Sequence, residues 1–144
     1  NSIDFDVGSG DTVFMYFRDK EENALSGENA SAGTLRFLAM LYVVYAQPGL
    51  SLKPLIIVEE PENGIYVGYL GELLEAFEQG ECYPQLIFTS HSPYFIDLFE
   101  NRLESIFVLK RGERYSSITQ PDVQQLKGRL ERFPLGELHF REML

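Results

Sequence analysis

The stretch PLIIVEEPENG, Pro54 to Gly64, restricts the fold of this chain more than any other. Its aliphatic body is continuous rather than alternating, the pattern of a strand buried on both faces of a parallel sheet. It runs straight into two adjacent carboxylates, Glu59 and Glu60, and Pro61 closes it. An ordinary buried strand has no reason to end in paired acids.

The surrounding sequence alternates as such a strand requires. Upstream, Leu35, Leu38, Ala39, Tyr42, Tyr45 and Ala46 recur at helical spacing until Pro48-Gly49 ends the pattern. Downstream, Tyr69, Leu70, Leu73, Leu74 and Phe77 form the inner face of a second helix over 65–79, with Gly80 as its stop. QLIFTSH, Gln85 to His91, reads as another buried strand, and Ser92-Pro93 supplies a cap and first residue for a short helix. Two more strands flank Gly112, and a last amphipathic helix carries Val123, Leu126 and Leu130. At the N-terminus, Ile3, Phe5 and Val7 alternate into a Gly8-Ser9-Gly10-Asp11 turn, predicting a β-hairpin, with 20–30 as an exposed polar loop. The order predicts an α/β fold in one domain, 1–144, with a largely parallel sheet flanked by helices.

Composition narrows the function. With 22 Asp+Glu against 12 Lys+Arg, the formal charge is −10, which argues against gripping nucleic acid through the chain's own net field. A single cysteine, Cys82, leaves no internal disulfide and no paired-cysteine metal site, which suits a reducing cytoplasm. The apolar run from Leu35 to Ala46 is broken by Arg36 and is too short to span a bilayer, so no membrane role is expected. Asn1-Ser2 is not a native start, and an upstream part is expected.

In open α/β sheets ligands bind beyond the carboxyl ends of the strands. Two such ends here carry polar groups: Glu59-Glu60, and Thr89-Ser90-His91. Adjacent strand residues point to opposite faces, so Glu59 and Glu60 cannot do one job in one way. One can hold a metal while the other faces a nucleophilic water, the division a nucleotide hydrolase needs; a solvated strand end is the alternative. His91 can donate a hydrogen bond to a phosphate oxygen, or be a structural histidine. Ser31 and Gly33 open the first helix, whose free N–H groups suit an anion, although a plain capped core helix fits them equally.

Taken together, SAGTLRFLAML, PLIIVEEPENG and TSHSPYFID resemble the signature motif, Walker B strand and switch-histidine loop of ABC-class ATPases, in particular the OLD, RecF and SMC-like prokaryotic group. The tail LERFPLGELHFREML is similar to the ends of such ATPases. The resemblance implies the C-terminal portion of a P-loop NTPase with ATP and Mg²⁺ as ligands. Glu60 would then orient or deprotonate the attacking water, Glu59 would hold Mg²⁺, and His91 would contact the γ-phosphate. Ser31 and Gly33 would bind the γ-phosphate of a nucleotide held by a second subunit, and Asn63 and Gly64 would form the loop meeting that subunit. Glu59 replaces the commoner Asp, Ala32 replaces an acidic or glycine residue, and Tyr66 stands where His is frequent.

No G-x-x-x-x-G-K-[ST] occurs in the chain. The resemblance therefore implies a Walker A-bearing N-terminal half elsewhere, a chain inactive without it, and a homodimer gating an effector protein, or DNA bound through other domains. In this family the missing strand lies between the Thr89 strand and the strand near Phe107. Two other readings stand beside the ATPase: a metal-dependent nuclease or phosphoesterase using Glu59, Glu60, Glu62 and His91, and a non-catalytic interaction module.

Overall fold

The computed structural model describes residues 2–10, 12–45, 55–79 and 85–144. The helix stops expected at Pro48-Gly49 and Gly80, the turn residue Asp11, and Ala46, Pro54 and Cys82 lie outside the described residues. The N-terminal hairpin is present. β1 (Ser2–Val7) pairs antiparallel with β2 (Val13–Arg18), Ser2 opposite Arg18 and Val7 opposite Val13. The segment expected as a polar loop contains a third strand, β3 (Ala24–Ser26), on the far edge of β2. The cause is local: the Asp19 carboxylate accepts the Glu21 and Asn23 amides at 2.8 and 3.0 Å, closing a turn that lays Ala24–Ser26 back along β2.

The α/β part begins with α1 (Ala32–Tyr45), then β4 (Leu55–Glu59), α2 (Leu70–Gln79) and β5 (Gln85–Thr89). β4 and β5 pair in parallel, from Leu55 opposite Gln85 to Glu59 opposite Thr89. Ile56, Val58, Leu86 and Phe88 pack on a core of Ile65, Leu70, Leu73, Leu74, Phe77 and Phe95. The opposite face is open, with Leu55, Ile57 and Ile87 exposed to 54%, 62% and 43%. Burial on both faces, expected from the aliphatic run, therefore holds for one face only, because the helices packed on this pair cover a single side.

The inner stripe of α1 also differs from expectation. Phe37, Met40 and Leu41 face the core, while Leu35, Tyr42 and Tyr45 are exposed. The helix is apolar nearly all round, so its pattern admits more than one stripe. For α2, Leu70, Leu73, Leu74 and Phe77 are buried as expected, but Tyr69 is half exposed in a preceding 3₁₀ turn, Val67–Tyr69.

Beyond β5, α3 (Pro93–Asp97) sends Phe95 into this first core and Ile96 into a second. The antiparallel pair β6 (Val108–Arg111) and β7 (Ser116–Thr119) follows, then α4 (Val123–Leu130) and α5 (Leu135–Phe140). Leu103, Leu126, Leu135 and Leu138 form the second core. Pro134 precedes α5 and has no capping side chain. Instead Glu100 accepts the Leu135 amide at 3.1 Å and Asp97 accepts the Gly136 amide at 2.6 Å. Two carboxylates at a helix start satisfy otherwise unpaired N–H groups and suit its dipole. Among the described residues, β6 is hydrogen-bonded only to β7, and the β4–β5 pair stands as a separate sheet.

Candidate functional site at the ends of the parallel strands

The turn after β4 continues the strand pairing by one residue, because the Glu60 amide donates to the Thr89 carbonyl at 2.8 Å. Glu60 then enters the left-handed region, with φ 44°, which is uncommon for a non-glycine residue. Pro61 buries its ring completely, and the Asn63 amide donates back to the Glu60 carbonyl at 3.0 Å. The Asn63 side-chain amide donates to Glu60 Oε2. Glu59, one residue earlier, shares the open face with Leu55 and Ile57 and is itself exposed. The two acids thus have different surroundings, as their alternation along the strand requires.

The first helix is fastened to this turn from the other side. Arg36 donates through Nη2 to the carbonyls of Glu59 and Glu60, at 2.9 and 3.0 Å. Near the start of α1, a side chain on Gly33 would collide with the Gly64 carbonyl, and Gly64 has φ 77°. Only glycine fits at Gly33, and Gly64 adopts a conformation that glycine adopts freely. Ser31 caps the helix: its Oγ accepts the Thr34 amide at 3.0 Å and lies 2.8 Å from Thr34 Oγ1. Gly33 and Gly64 are therefore neighbours, and Ser31 lies exposed beside them in the chain.

The loop after β5 presents His91 to solvent. Its ring centroid is 6.3 Å from that of His139, on α5. Burial, with the nearby His91 adding to it, pushes the His139 pKa down. On either side of His91, Ser90 Oγ donates to Glu62 Oε1 at 2.5 Å and the Ser92 amide donates to the same oxygen at 3.2 Å.

The structure thus gathers Glu59 and Glu60 with Thr89, next to the His91 loop, and separately joins Gly33 to Gly64 and Asn63 to Glu60. Among the described residues, no three of His, Cys, Asp and Glu converge as metal ligands. A cleft of about 740 Å³ lies on the N-terminal sheet, lined by Ile3, Phe17, Arg18 and Asn23 among others, and none of the candidate residues borders it. The roles of Arg36 and His139 were not read from the sequence, and Glu62 was read there only as a ligand in the nuclease alternative, not as the acceptor for Ser90 and Ser92. For Arg36 a signal existed, since a cation inside an apolar helical run needs a partner; the partners of the other two lie 28 or more residues away.

Residues 2–97 match the model of an AAA-domain family whose description names the AbiEii toxin and the type IV TA system. The chain belongs to this AAA-domain family. No curated protein matches it significantly. A solved chain from work on the ATP-driven dimerization and DNA-stimulated activation of SMC ATPases is similar in fold, with TM-score 0.61 and 12% identity over 85% of this chain and 73% of that one. At that identity the likeness concerns the fold: an α/β P-loop ATPase architecture, here with a parallel strand pair, flanking helices and an N-terminal antiparallel sheet. No described helix of this AAA domain is long and apolar enough to cross a membrane.

Proposed function

We propose that this AAA domain is the C-terminal part of an ATP-hydrolysing ABC-type ATPase whose Walker A loop is carried by an N-terminal segment, and that nucleotide closes two copies face to face. The single observation that supports this best is the pairing at the strand ends. Glu60, held in a left-handed turn by Thr89, Asn63 and Arg36, sits one step from the loop that presents His91.

In this reading Glu60 orients or deprotonates the attacking water, and Asn63 fixes the carboxylate through Oε2. His91 donates a hydrogen bond to the γ-phosphate. Glu59 offers a Mg²⁺ ion one exposed carboxylate on the open face. That donor set fits Mg²⁺, which takes one or two carboxylates and completes its shell with water and phosphate oxygens. Bound there, the ion would neutralise charge developing on the phosphates. The same poverty of protein ligands disfavours the nuclease reading, which needs a carboxylate cluster. Glu62 is also unsuited to it, since one of its oxygens is already engaged by Ser90 and Ser92.

Ser31 and Gly33 lie beside Gly64 at one surface, which suits a contact made across a dimer to a second nucleotide. The apolar open face suits the missing half: Leu55, Ile57 and Ile87 stand exposed around Glu59. The family description, which names the AbiEii toxin and a type IV TA system, favours a toxin-type activity over a DNA-repair role.

The test is a titration of MgATP against this chain alone and against its mixture with the Walker A-bearing segment, following nucleotide binding and particle mass together. Binding and dimer mass are expected only in the mixture. Tight Mg²⁺-dependent binding by the chain alone would overturn the half-site assignment. In the mixture, Glu60→Gln should abolish turnover and retain the nucleotide-bound dimer; normal turnover would remove Glu60 from the chemistry.

A further inference from the structure

We infer that Glu62 is a positioning residue that ties the turn bearing Glu60 to the loop bearing His91, gripping the latter on both sides of the histidine. The inference rests on the ATPase reading for its consequence, but not for its geometry. One oxygen, Oε1, accepts the Ser90 hydroxyl at 2.5 Å and the Ser92 amide at 3.2 Å. The Ser92 amide also donates to Ser90 Oγ at 3.0 Å, so the three groups close a small ring around the backbone of His91. β5 ends at Thr89 and α3 starts at Pro93, leaving His91 in the middle of an irregular bridge. A single oxygen of Glu62 therefore accepts from the residues on both sides of His91 in that bridge.

The other oxygen, Oε2, is buried and has no hydrogen-bond partner among the described residues. The acid follows Glu60 by two residues and precedes Asn63 and Gly64 directly. Its backbone moves with the loop proposed to meet the second subunit, and its side chain holds the residues flanking His91. Displacing that loop therefore displaces His91. Glu62 would make γ-phosphate contact depend on engagement of the Asn63–Gly64 loop.

Two measurements test this. In this 144-residue chain, amide hydrogen exchange read by NMR should show the Ser92 amide exchanging at least ~10-fold faster in Glu62→Ala, a loss of about 1.4 kcal/mol of local protection, with the Leu126 amide unaffected. Glu62→Gln, which retains an acceptor, should show a smaller change. Unchanged Ser92 exchange overturns the tie, whether or not the protein is an ATPase. In the mixture with the Walker A-bearing segment, Glu62→Ala should lower kcat by ~10- to 100-fold and weaken ATP relative to ADP, leaving ADP affinity unchanged. A merely structural residue would weaken both nucleotides alike, and equal loss overturns the positioning role. Where Glu62→Ala fails to fold, Ser90→Ala removes two of the three bonds of the ring and should show the same signature. If the mixture turns over no ATP, the ATPase reading fails while the exchange result on Ser92 still stands.

Discussion

Glu60 adopts a backbone conformation that its residue type disfavours, and the surrounding bonds hold it there. Such a position costs about 1–3 kcal/mol and persists where the neighbours over-determine it, as at sites of chemistry. Glu60→Gly removes the strain and loses some chain entropy, so the unfolding free energy should change by less than about 1 kcal/mol. Hydrolysis should nonetheless vanish. A urea titration beside an ATP turnover assay checks both, and a large loss of stability would show that the carboxylate itself supports the fold. Gly33 is the opposite case. Gly33→Ala drives a methyl group into the Gly64 carbonyl and should cost about 1–3 kcal/mol, as overpacked sites do; an unchanged urea midpoint would mean that α1 can move aside freely. The acids at the strand end were legible because an aliphatic run makes any charge after it conspicuous. The left-handed turn at Glu60 was not, since only glycine and asparagine advertise that conformation. Nor was the contact of Gly33 with a backbone 31 residues further on.

At the scale of elements, α5 and its His139 give the fold a pH dependence of definite sign. Burial, then the charge of His91, lowers the His139 pKa in the folded chain. Above about pH 6.5 the residue is neutral in both folded and unfolded chains, and folding is unaffected by it. As pH falls below that value, the unfolded chain binds a proton that the folded chain resists, so stability declines until the folded pKa is passed. The urea midpoint should therefore drop between about pH 7.5 and 5.5, and His139→Gln should flatten that drop. Identical slopes in both proteins would show that other groups dominate. Helix and strand order was legible from periodicity, as were the buried residues of α2. The facing of α1 was not, because a nearly all-apolar helix does not mark its inner side. The single-sided burial of β4 was also hidden, since aliphatic character records what a strand is made to meet rather than what the chain itself supplies.

For the molecule as a whole, an apolar sheet face coexists with a net charge of −10. The charge opposes association through like repulsion, and the open face of Leu55, Ile57 and Ile87 favours it. Raising the salt concentration should therefore increase self-association of the isolated chain, because screening removes the repulsion and leaves the apolar attraction. Light scattering at low and high salt, with and without the Walker A-bearing segment, checks this. The segment should suppress both the scattering and the binding of a hydrophobic dye, and undiminished dye binding in the mixture would mean that it docks elsewhere. The parallel pairing of β4 with β5 has one more consequence. Both faces of β4 are aliphatic, so a shift by one residue would exchange Ile57 for Val58 with little change in hydrophobicity, and oil-like character alone cannot align the two strands. What breaks the degeneracy is the polar ends, where Glu59 meets Thr89 and the Glu60 amide finds the Thr89 carbonyl. The strand end proposed to handle metal and water is thus also where the pairing of the two strands makes its last step, through the backbone of Glu60 and Thr89.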